Sequence, residues 1–236
     1  MTLRTRTLLH LAALCLLLGA YSFAADNAYL YIANGIPGRD IADNLSPAFP
    51  IDVLFDGNCI SRGLAFDSMT GPFSFAPGTY NVQISEANTL APCSNPPITE
   101  SKITLTAGIS ETAVAAISAG QPALLSLTDD FTSVTPGNAR FDLAQTADAP
   151  ALQATLTQVG VKTPQTFTVT ANPGKQEAIT VPAGTYLVQV VEKGETTVLT
   201  SQDISLPSQS TTLAYAVGQA ANNSIVLVTK TVRDVF

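Results

Sequence analysis

The chain has 236 residues, of which 18 are acidic and 11 are lysine or arginine, and its formal charge is −7. A protein this acidic, with no cluster of basic residues, repels the phosphate backbone, so nucleic acid is excluded as a partner. The length is sufficient for more than one hydrophobic core.

The amino terminus has the features of a secretory signal peptide. Arg4 and Arg6 precede an apolar run at residues 8–18, and small residues follow up to Ala24. This order is typical of a cleaved export signal, and the run is shorter than the roughly 20 apolar residues of a spanning helix. Cleavage is expected after Ala24, with Ala25 as the next choice. We therefore predict an exported protein, periplasmic or extracellular, with no membrane span in its mature chain.

Removal of this segment limits the chemistry of the mature protein. His10, the one histidine, and Cys15 lie within the predicted signal. The mature chain would then have 9 basic and 18 acidic residues, a charge of −9, and no imidazole for a serine triad. Cys59 and Cys93 remain, and in an oxidising compartment a single disulfide is their simplest state. No enzymatic activity and no cofactor are expected.

An internal repeat organises the mature chain. Residues 75–84 read FAPGTYNVQI and residues 181–190 read VPAGTYLVQV, which indicates two copies of one module. A Pro-Gly pair follows position 135 and marks a short joint. The predicted organisation is a signal peptide at residues 1–24, a first domain at 25–135 and a second domain at 136–236.

Within each copy, short alternating runs are separated by turn residues. In Tyr80–Ile84 every second residue is apolar, which predicts a half-buried strand. Asp56-Gly57 after an apolar run predicts a tight hairpin turn. No stretch beyond the signal sustains an amphipathic helix. About seven strands in roughly 100 residues are typical of an immunoglobulin-like sandwich, so the predicted fold is all-β, with two tandem antiparallel β-sandwich domains.

Several motifs also carry a family resemblance. They are the strand and turn IDVLFDG at residues 51–57, the PGTY and AGTY turns, the run LTDDF at 127–131 and PGNAR at 136–140. Their order resembles that of bacterial envelope proteins with domain of unknown function 4397, in two tandem copies of which the second is degenerate. The resemblance implies a sandwich fold and an exported location, and it implies no established activity.

This sequence departs from a strict repeat at three places. The first copy has an insertion at residues 35–48. The second copy has Gln153 where the first has Asp52, and Lys230 where the first has Asp129. An ion-binding role of either acid would therefore not be shared by both copies.

Acidic residues gather near the insertion of the first copy. Asp40, Asp43, Asp52 and Asp56 are weak candidates for a calcium site, because Ca²⁺ takes carboxylate oxygens as ligands. Their spacing matches no known calcium loop, and aspartates that serve turns explain the same pattern, so no metal site is assigned.

The Asp129-Asp130 pair has the same two interpretations. It is either a cation ligand or the end of a strand that enters the joint, where aspartate accepts hydrogen bonds. Two functional hypotheses follow. The preferred one is a non-catalytic envelope module that binds another protein or a polymer through loops or a strand edge. The alternative is a ligand-binding, calcium-dependent or carboxylate-based hydrolytic protein that uses the acidic loop.

Overall fold

The computed structural model describes residues 26–38 and 49–233. Within these residues the chain forms β-strands and one single-turn 3₁₀ helix, Ala220–Asn222. The predicted signal peptide, with its cleavage positions Ala24 and Ala25, lies outside the described residues.

The first sandwich consists of eight strands in the described part of the chain. Their bounds are β1 (Ala28–Asn34), β2 (Ile51–Phe55), β3 (Asn58–Leu64), β4 (Ser68–Phe75), β5 (Gly78–Glu86), β6 (Pro97–Leu105), β7 (Ser110–Ser118) and β8 (Gln121–Thr128). They form two four-stranded sheets with the orders β4-β1-β7-β8 and β3-β2-β5-β6.

The second sandwich repeats this arrangement. Its strands are β9 (Asn138–Gln145), β10 (Leu152–Gln158), β11 (Thr166–Ala171), β12 (Gln176–Pro182), β13 (Gly184–Glu192), β14 (Val198–Leu206), β15 (Ser210–Val217) and β16 (Val226–Arg233). The sheet orders are β12-β9-β15-β16 and β11-β10-β13-β14. The two sandwiches therefore have the same strand order, with β9 in the place of β1 and β16 in the place of β8.

The predicted architecture of two tandem β-sandwiches is confirmed, with two differences in detail. Each sandwich has one strand more than the seven or so expected. The pairs β1/β7 and β9/β15 are parallel, whereas the other neighbours are antiparallel. Hairpins impose antiparallel pairing only on consecutive strands, and these two pairs are joined through long crossovers.

Alternation along the strands builds one core between the two sheets of each sandwich. The first core is formed by side chains that include Leu30, Ile32, Ile51, Val53, Val82, Ile84, Ala113 and Ala115. The second is formed by side chains that include Phe141, Leu143, Leu152, Leu156, Tyr186, Val188, Ala214 and Ala216. Both cores therefore arise from the period-two pattern that the sequence predicts.

A third apolar cluster joins the two sandwiches. It contains Ala33, Phe66, Val114 and Ala116 of the first and Ala144, Leu213, Tyr215, Val217 and Val228 of the second. The sheets that contain β1 and β9 therefore pack against each other through their outer faces. The backbones approach closely here, because a Cβ atom added to Gly35 would lie 2.7 Å from the Cβ atom of Val217.

The Gly-Thr-Tyr repeats occupy the same place in both sandwiches, at the start of β5 and of β13. The Tyr80 hydroxyl donates to the carbonyl of Ala76, and the Tyr186 hydroxyl donates to the carbonyl of Pro182, both at 2.6 Å. Each tyrosine thus fixes the turn four residues before it, as the tyrosine corner does in other sandwiches.

Buried side-chain amides repeat in the same way at the ends of β1 and β9. Asn34 donates to the carbonyls of Phe49 and Leu64, and its oxygen accepts from the N–H two residues later. Gln145 donates to the carbonyls of Ala149 and Pro150, and its oxygen also accepts from the N–H two residues later. Each amide closes the loop that leads into the next strand.

Candidate functional site

The structure separates the acids that the sequence suggests as calcium ligands. Asp52 and Asp56 lie near opposite ends of β2, about 13 Å apart along an extended chain. Asp40 and Asp43 lie outside the described residues. Among residues 26–38 and 49–233, no group of three or more His, Cys, Asp or Glu side chains has a metal-binding arrangement.

Asp56 has the turn role that the alternative interpretation predicts. Asp56 and Gly57 both have positive φ, 47° and 76°, and connect β2 to β3 in a two-residue hairpin. The Asp56 carboxylate accepts the backbone N–H of Asn81 at 2.7 Å. Its oxygen thereby ties the hairpin to the neighbouring strand β5.

Asp52 is buried and anchors a loop. Its carboxylate accepts backbone N–H groups from Gly63 at 2.8 Å, Asn88 at 3.1 Å and Cys93 at 2.7 Å. Burial by itself would raise the pKa of Asp52, but these three donors and the charge of Arg62 hold it below its ordinary value. The side chain is therefore an ionised acceptor whose lone pairs serve the fold.

The loop at residues 87–96, between β5 and β6, is fastened at several points. The predicted disulfide between Cys59 and Cys93 is present and ties the loop to β3. The Asn88 side chain accepts the N–H groups of Leu90 and Ala91 at 3.1 and 3.0 Å. The loop is thus held by a covalent bond, a buried carboxylate and its own amide side chain.

Apolar side chains are exposed on this loop and on the start of β6. Leu90 is 96% exposed. The others are Ala91, Pro92, Pro96, Pro97 and Ile98. A single exposed leucine is ordinary on a protein surface, whereas here several exposed apolar residues lie on one loop whose backbone is held in place.

A buried acid cluster lies where the sandwiches meet. The Asp129 carboxylate accepts hydrogen bonds from the hydroxyls of Ser110 at 2.8 Å, Thr112 at 2.9 Å and Tyr215 at 2.7 Å. Burial raises the pKa of Asp129, and the hydroxyls of Tyr215, Ser110 and Thr112 offset part of that rise. Burial also raises the pKa of Tyr215 well above its ordinary value, so this hydroxyl stays a donor.

Both acids of the Asp129-Asp130 pair lie at the joint between the sandwiches. Asp129 directly follows β8, and its carboxylate accepts hydrogen bonds from three side-chain hydroxyls. Asp130 forms an ion pair with Arg140 of the second sandwich at 2.9 Å. Burial would raise the pKa of Asp130, but hydrogen bonds from Thr132 and the charge of Arg140 lower it. Both acids therefore contribute contacts between the sandwiches.

Strand pairing assigns a different counterpart to Asp129. Ala113 and Ala214 both face a core. These two alanines therefore occupy equivalent positions. Asp129 lies opposite Ser110, three residues before Ala113, and Val232 lies opposite Thr211, three residues before Ala214. The counterpart of Asp129 in the second sandwich is therefore Val232 and not Lys230. The expectation that Lys230 replaces Asp129 is therefore wrong in register, although the acid is still absent from the second sandwich.

A cleft of about 260 Å³ opens beside Asp129. Its other lining residues are Tyr29, Gly108, Ile109, Ser110, Asp130, Phe131 and Thr132. The Asp129 carboxylate already accepts hydrogen bonds from three hydroxyls of the fold.

The sequence-based search missed Asp142. This residue lies in β9, is only 3% exposed, and its Oδ1 atom has no hydrogen-bond partner in the described part of the chain. Burial, followed by the charges of Asp129 and Asp130, raises the pKa of Asp142 to about 6. The signal in the sequence was an acid between two apolar residues, Phe141 and Leu143, in an alternating strand.

The fold and this site define a protein of two docked β-sandwiches. Residues 28–155 match the model of the family described as "Domain of unknown function (DUF4397)". The chain belongs to this family. The match runs from β1 into β10 and so covers the first sandwich, β9 and the first four residues of β10.

Solved structures resemble the chain only distantly. Two are each described as a "putative cell adhesion protein", from Bacteroides uniformis (11% identity, TM-score 0.28, 88% of this chain and 98% of the other) and from Bacteroides ovatus (11%, 0.30, 89% and 99%). The Bacillus anthracis TIE protein matches at 12% identity with a TM-score of 0.24. Coverage is 78% of this chain and 32% of that longer protein.

No curated protein matches the sequence. Among residues 26–38 and 49–233, no helix has the length and hydrophobicity needed to span a bilayer.

Proposed function

We propose that this protein is a non-catalytic, exported component of the cell envelope, periplasmic or extracellular, that binds another envelope protein through the fastened loop at residues 87–96. The proposed organisation is a signal peptide at 1–24, a first domain at 25–135 and a second at 136–236. The two domains are tandem copies of one module, and the second copy is degenerate.

The observation that carries the proposal is how two buried acids, Asp52 and Asp129, are used. Asp52 accepts three backbone N–H groups, and Asp129 accepts three hydroxyls. A general acid or base needs a carboxyl that can exchange a proton with a substrate, whereas both of these are committed to positioning parts of the fold. This supports a role in binding rather than in chemistry.

The disulfide supports the proposed location. Disulfides persist in oxidising compartments and are rare in the cytosol. Cys59 and Cys93 close a loop with a sequence separation of 34, which by the chain-entropy model stabilises the fold by about 3 to 4 kcal/mol. Export is the setting in which this bond would form and last.

Repeated local structure supports the tandem origin. Both sandwiches have the same strand order, the same tyrosine hydroxyl contact and the same buried amide clamp. The two copies also differ in loop length and at single polar positions, such as Asp52, whose place Gln153 holds in the second copy.

The loop is suited to an apolar pocket on a partner protein. Residues 87–96 contain no charged side chain, and Leu90 stands almost fully in solvent. Because the disulfide and the Asp52 hydrogen bonds already fix the backbone, little further ordering entropy is lost on binding. The corresponding loop of the second sandwich, residues 193–197, reads KGETT and is short and polar.

Crosslinking in the native cell tests the proposal. A photo-reactive phenylalanine derivative would replace Leu90 in one strain and Val161, an exposed residue of the second sandwich, in another. Irradiation should give a discrete protein adduct from position 90, and Leu90→Asp should abolish co-purification of that adducted protein.

Position 161 is the matched control, since Val161 is 46% exposed and lies far along the chain from the loop. Equal adducts from both positions would indicate non-specific contact. No adduct from position 90, in cells where a known envelope complex is captured, would contradict the proposed binding role.

A further inference from the structure

The orphaned carboxyl of Asp142 faces the contact between the sandwiches. Its neighbours in β9, Phe141 and Leu143, belong to the core of the second sandwich, and Ala144 belongs to the cluster between the sandwiches. Because side chains alternate along a strand, Asp142 points to the same side as Ala144. A buried acid thus lies in an apolar contact with one oxygen unpaired in the described chain.

Other charged groups surround this carboxyl from both sandwiches. The fields of Asp129 and Asp130 come from the first sandwich, and those of Arg140 and Glu177 come from the second. Lys230 is exposed on β16, which β15 separates from β9. Asp129, Asp130 and Glu177 are acidic, and the guanidinium of Arg140 is already paired with Asp130. The Tyr215 hydroxyl, which also interacts with the charge of Asp142, donates its hydrogen to Asp129.

We propose that proton uptake by Asp142 strengthens the contact between the two sandwiches, so that the docked arrangement is favoured in mild acid and loosens toward neutral pH. A neutral carboxyl carries no charge next to Asp129 and costs far less to bury than a carboxylate does. Separation of the sheets would return the side chain to water.

The size of the effect follows from linkage. The pKa of Asp142 is about 6 when the sandwiches are docked, and its ordinary value in water is 3.8. Opening therefore releases a proton between these values. For a single group with these two values, the equilibrium constant for opening is about tenfold smaller at pH 5.0 than at pH 7.5. Asp129, whose pKa is also raised by burial, acts in the same direction.

A thiol placed in the contact measures the opening. Val228 is buried between the sandwiches, and the native cysteines Cys59 and Cys93 are bonded to each other. The rate at which a thiol reagent modifies Val228→Cys would be measured in the exported protein at each pH. It would be divided by the rate for Thr163→Cys, a variant with its thiol at an exposed position. This ratio cancels the pH dependence of the thiolate and should be about tenfold lower at pH 5.0 than at 7.5.

Three variants in the Val228→Cys background separate the explanations. Asp142→Asn should lower the ratio at pH 7.5 and reduce its change with pH to what Asp129 contributes, and Asp203→Asn, which changes an exposed acid, should keep the full change. Gly35→Ala should raise the ratio at both pH values, because its Cβ atom would collide with Val217. A ratio that is independent of pH in the parent, or a pH dependence that Asp142→Asn leaves undiminished, would overturn the proposal.

A direct titration guards against an Asp142 variant that fails to fold. The carboxyl carbon of Asp142 in the unmodified protein, followed by NMR, should titrate with a midpoint near 6. A midpoint near the ordinary value of 3.8 would refute the proposal without any substitution.

Discussion

The two sandwiches share a strand order but differ in how their loops are held. In the first, Asp52 and a disulfide fix the loop at residues 87–96. In the second, Gln153 occupies the place of Asp52, and the corresponding loop is short. The tyrosine and amide contacts that both sandwiches share therefore maintain the fold, while the fixed loop is a feature of the first sandwich alone among the described residues. This difference points to the fixed loop as the place to test for function.

The largest expected effect concerns the disulfide, which only the first sandwich has among the described residues. Replacing Cys59 and Cys93 together by serine should destabilise the first sandwich by about 3 to 4 kcal/mol, because the unfolded chain regains the entropy of the open loop. Hydrogen exchange read by mass spectrometry would show faster opening in β2, β3 and β5. Equal loss of protection in β10 and β13 would show that the sandwiches unfold as one unit.

The second effect is a pH dependence of opposite sign in the two sandwiches. The pKa of Asp142 is about 6 in the folded protein and 3.8 in the unfolded chain. Its contribution to the free energy of unfolding is therefore complete below pH 3.8 and is lost as the pH rises through 6, a change of about 3 kcal/mol. The lowered pKa of Asp52 gives stability that is present above its unfolded value and is lost as the pH falls through its folded value.

Urea unfolding at pH 4.5 and 7.5 measures the contribution of Asp142, because Asp52 titrates below this range. The parent protein should lose more stability than Asp142→Asn between pH 4.5 and 7.5, since the amide does not titrate. Identical pH profiles for the two proteins would show that Asp142 is not responsible.

The third effect is local to the fixed loop. Asp52→Asn places an NH₂ group or a neutral oxygen where three backbone N–H groups converge, and hydrogen bonds to a charged group are worth about 2 kcal/mol. Stability should fall by roughly this amount, and amides at residues 88–93 should exchange faster. The matched control is Gln153→Asn, at the same place in the second sandwich, which should leave the 193–197 loop unchanged.

The smallest expected effect concerns the tyrosine hydroxyl contact that both sandwiches share. Tyr80→Phe and Tyr186→Phe each remove one hydroxyl contact of 2.6 Å to a backbone carbonyl, and each should cost about 1 kcal/mol. Tyr186 is fully buried whereas Tyr80 is partly exposed, so the Tyr186 variant should lose more. Thermal melts of both proteins measure this, and a larger loss for Tyr80→Phe would contradict the assigned burial.

Structural features that depend only on short stretches of sequence could be predicted. The Asp56-Gly57 hairpin, the half-buried strand at Tyr80–Ile84 and the paired tyrosine turns depend on neighbouring residues and on the two-residue period of a strand. The two remaining cysteines could be paired because no others were left in the predicted mature chain.

The candidate site could be predicted only in part. The sequence left Asp129-Asp130 with two interpretations, because the hydroxyl donors of Asp129 come from Ser110, Thr112 and Tyr215, as many as 86 residues away in the sequence. Asp52 and Asp56 were grouped because they are close in sequence, yet a strand separates them. Distances along an extended chain are long, and proximity in sequence is a poor guide to a shared site.

By itself the sequence determined the strands, their turns and their division into two similar sets, because these follow from local alternation and turn chemistry. Only the tertiary structure decided that both faces of β7 and β15 are covered, one by a core and the other by the partner sandwich. That contact buries both Asp129 and Asp142, and the charge of Asp129 raises the pKa of Asp142. Burial is a property of the packed whole, since the cost of a charge depends on what excludes water from it.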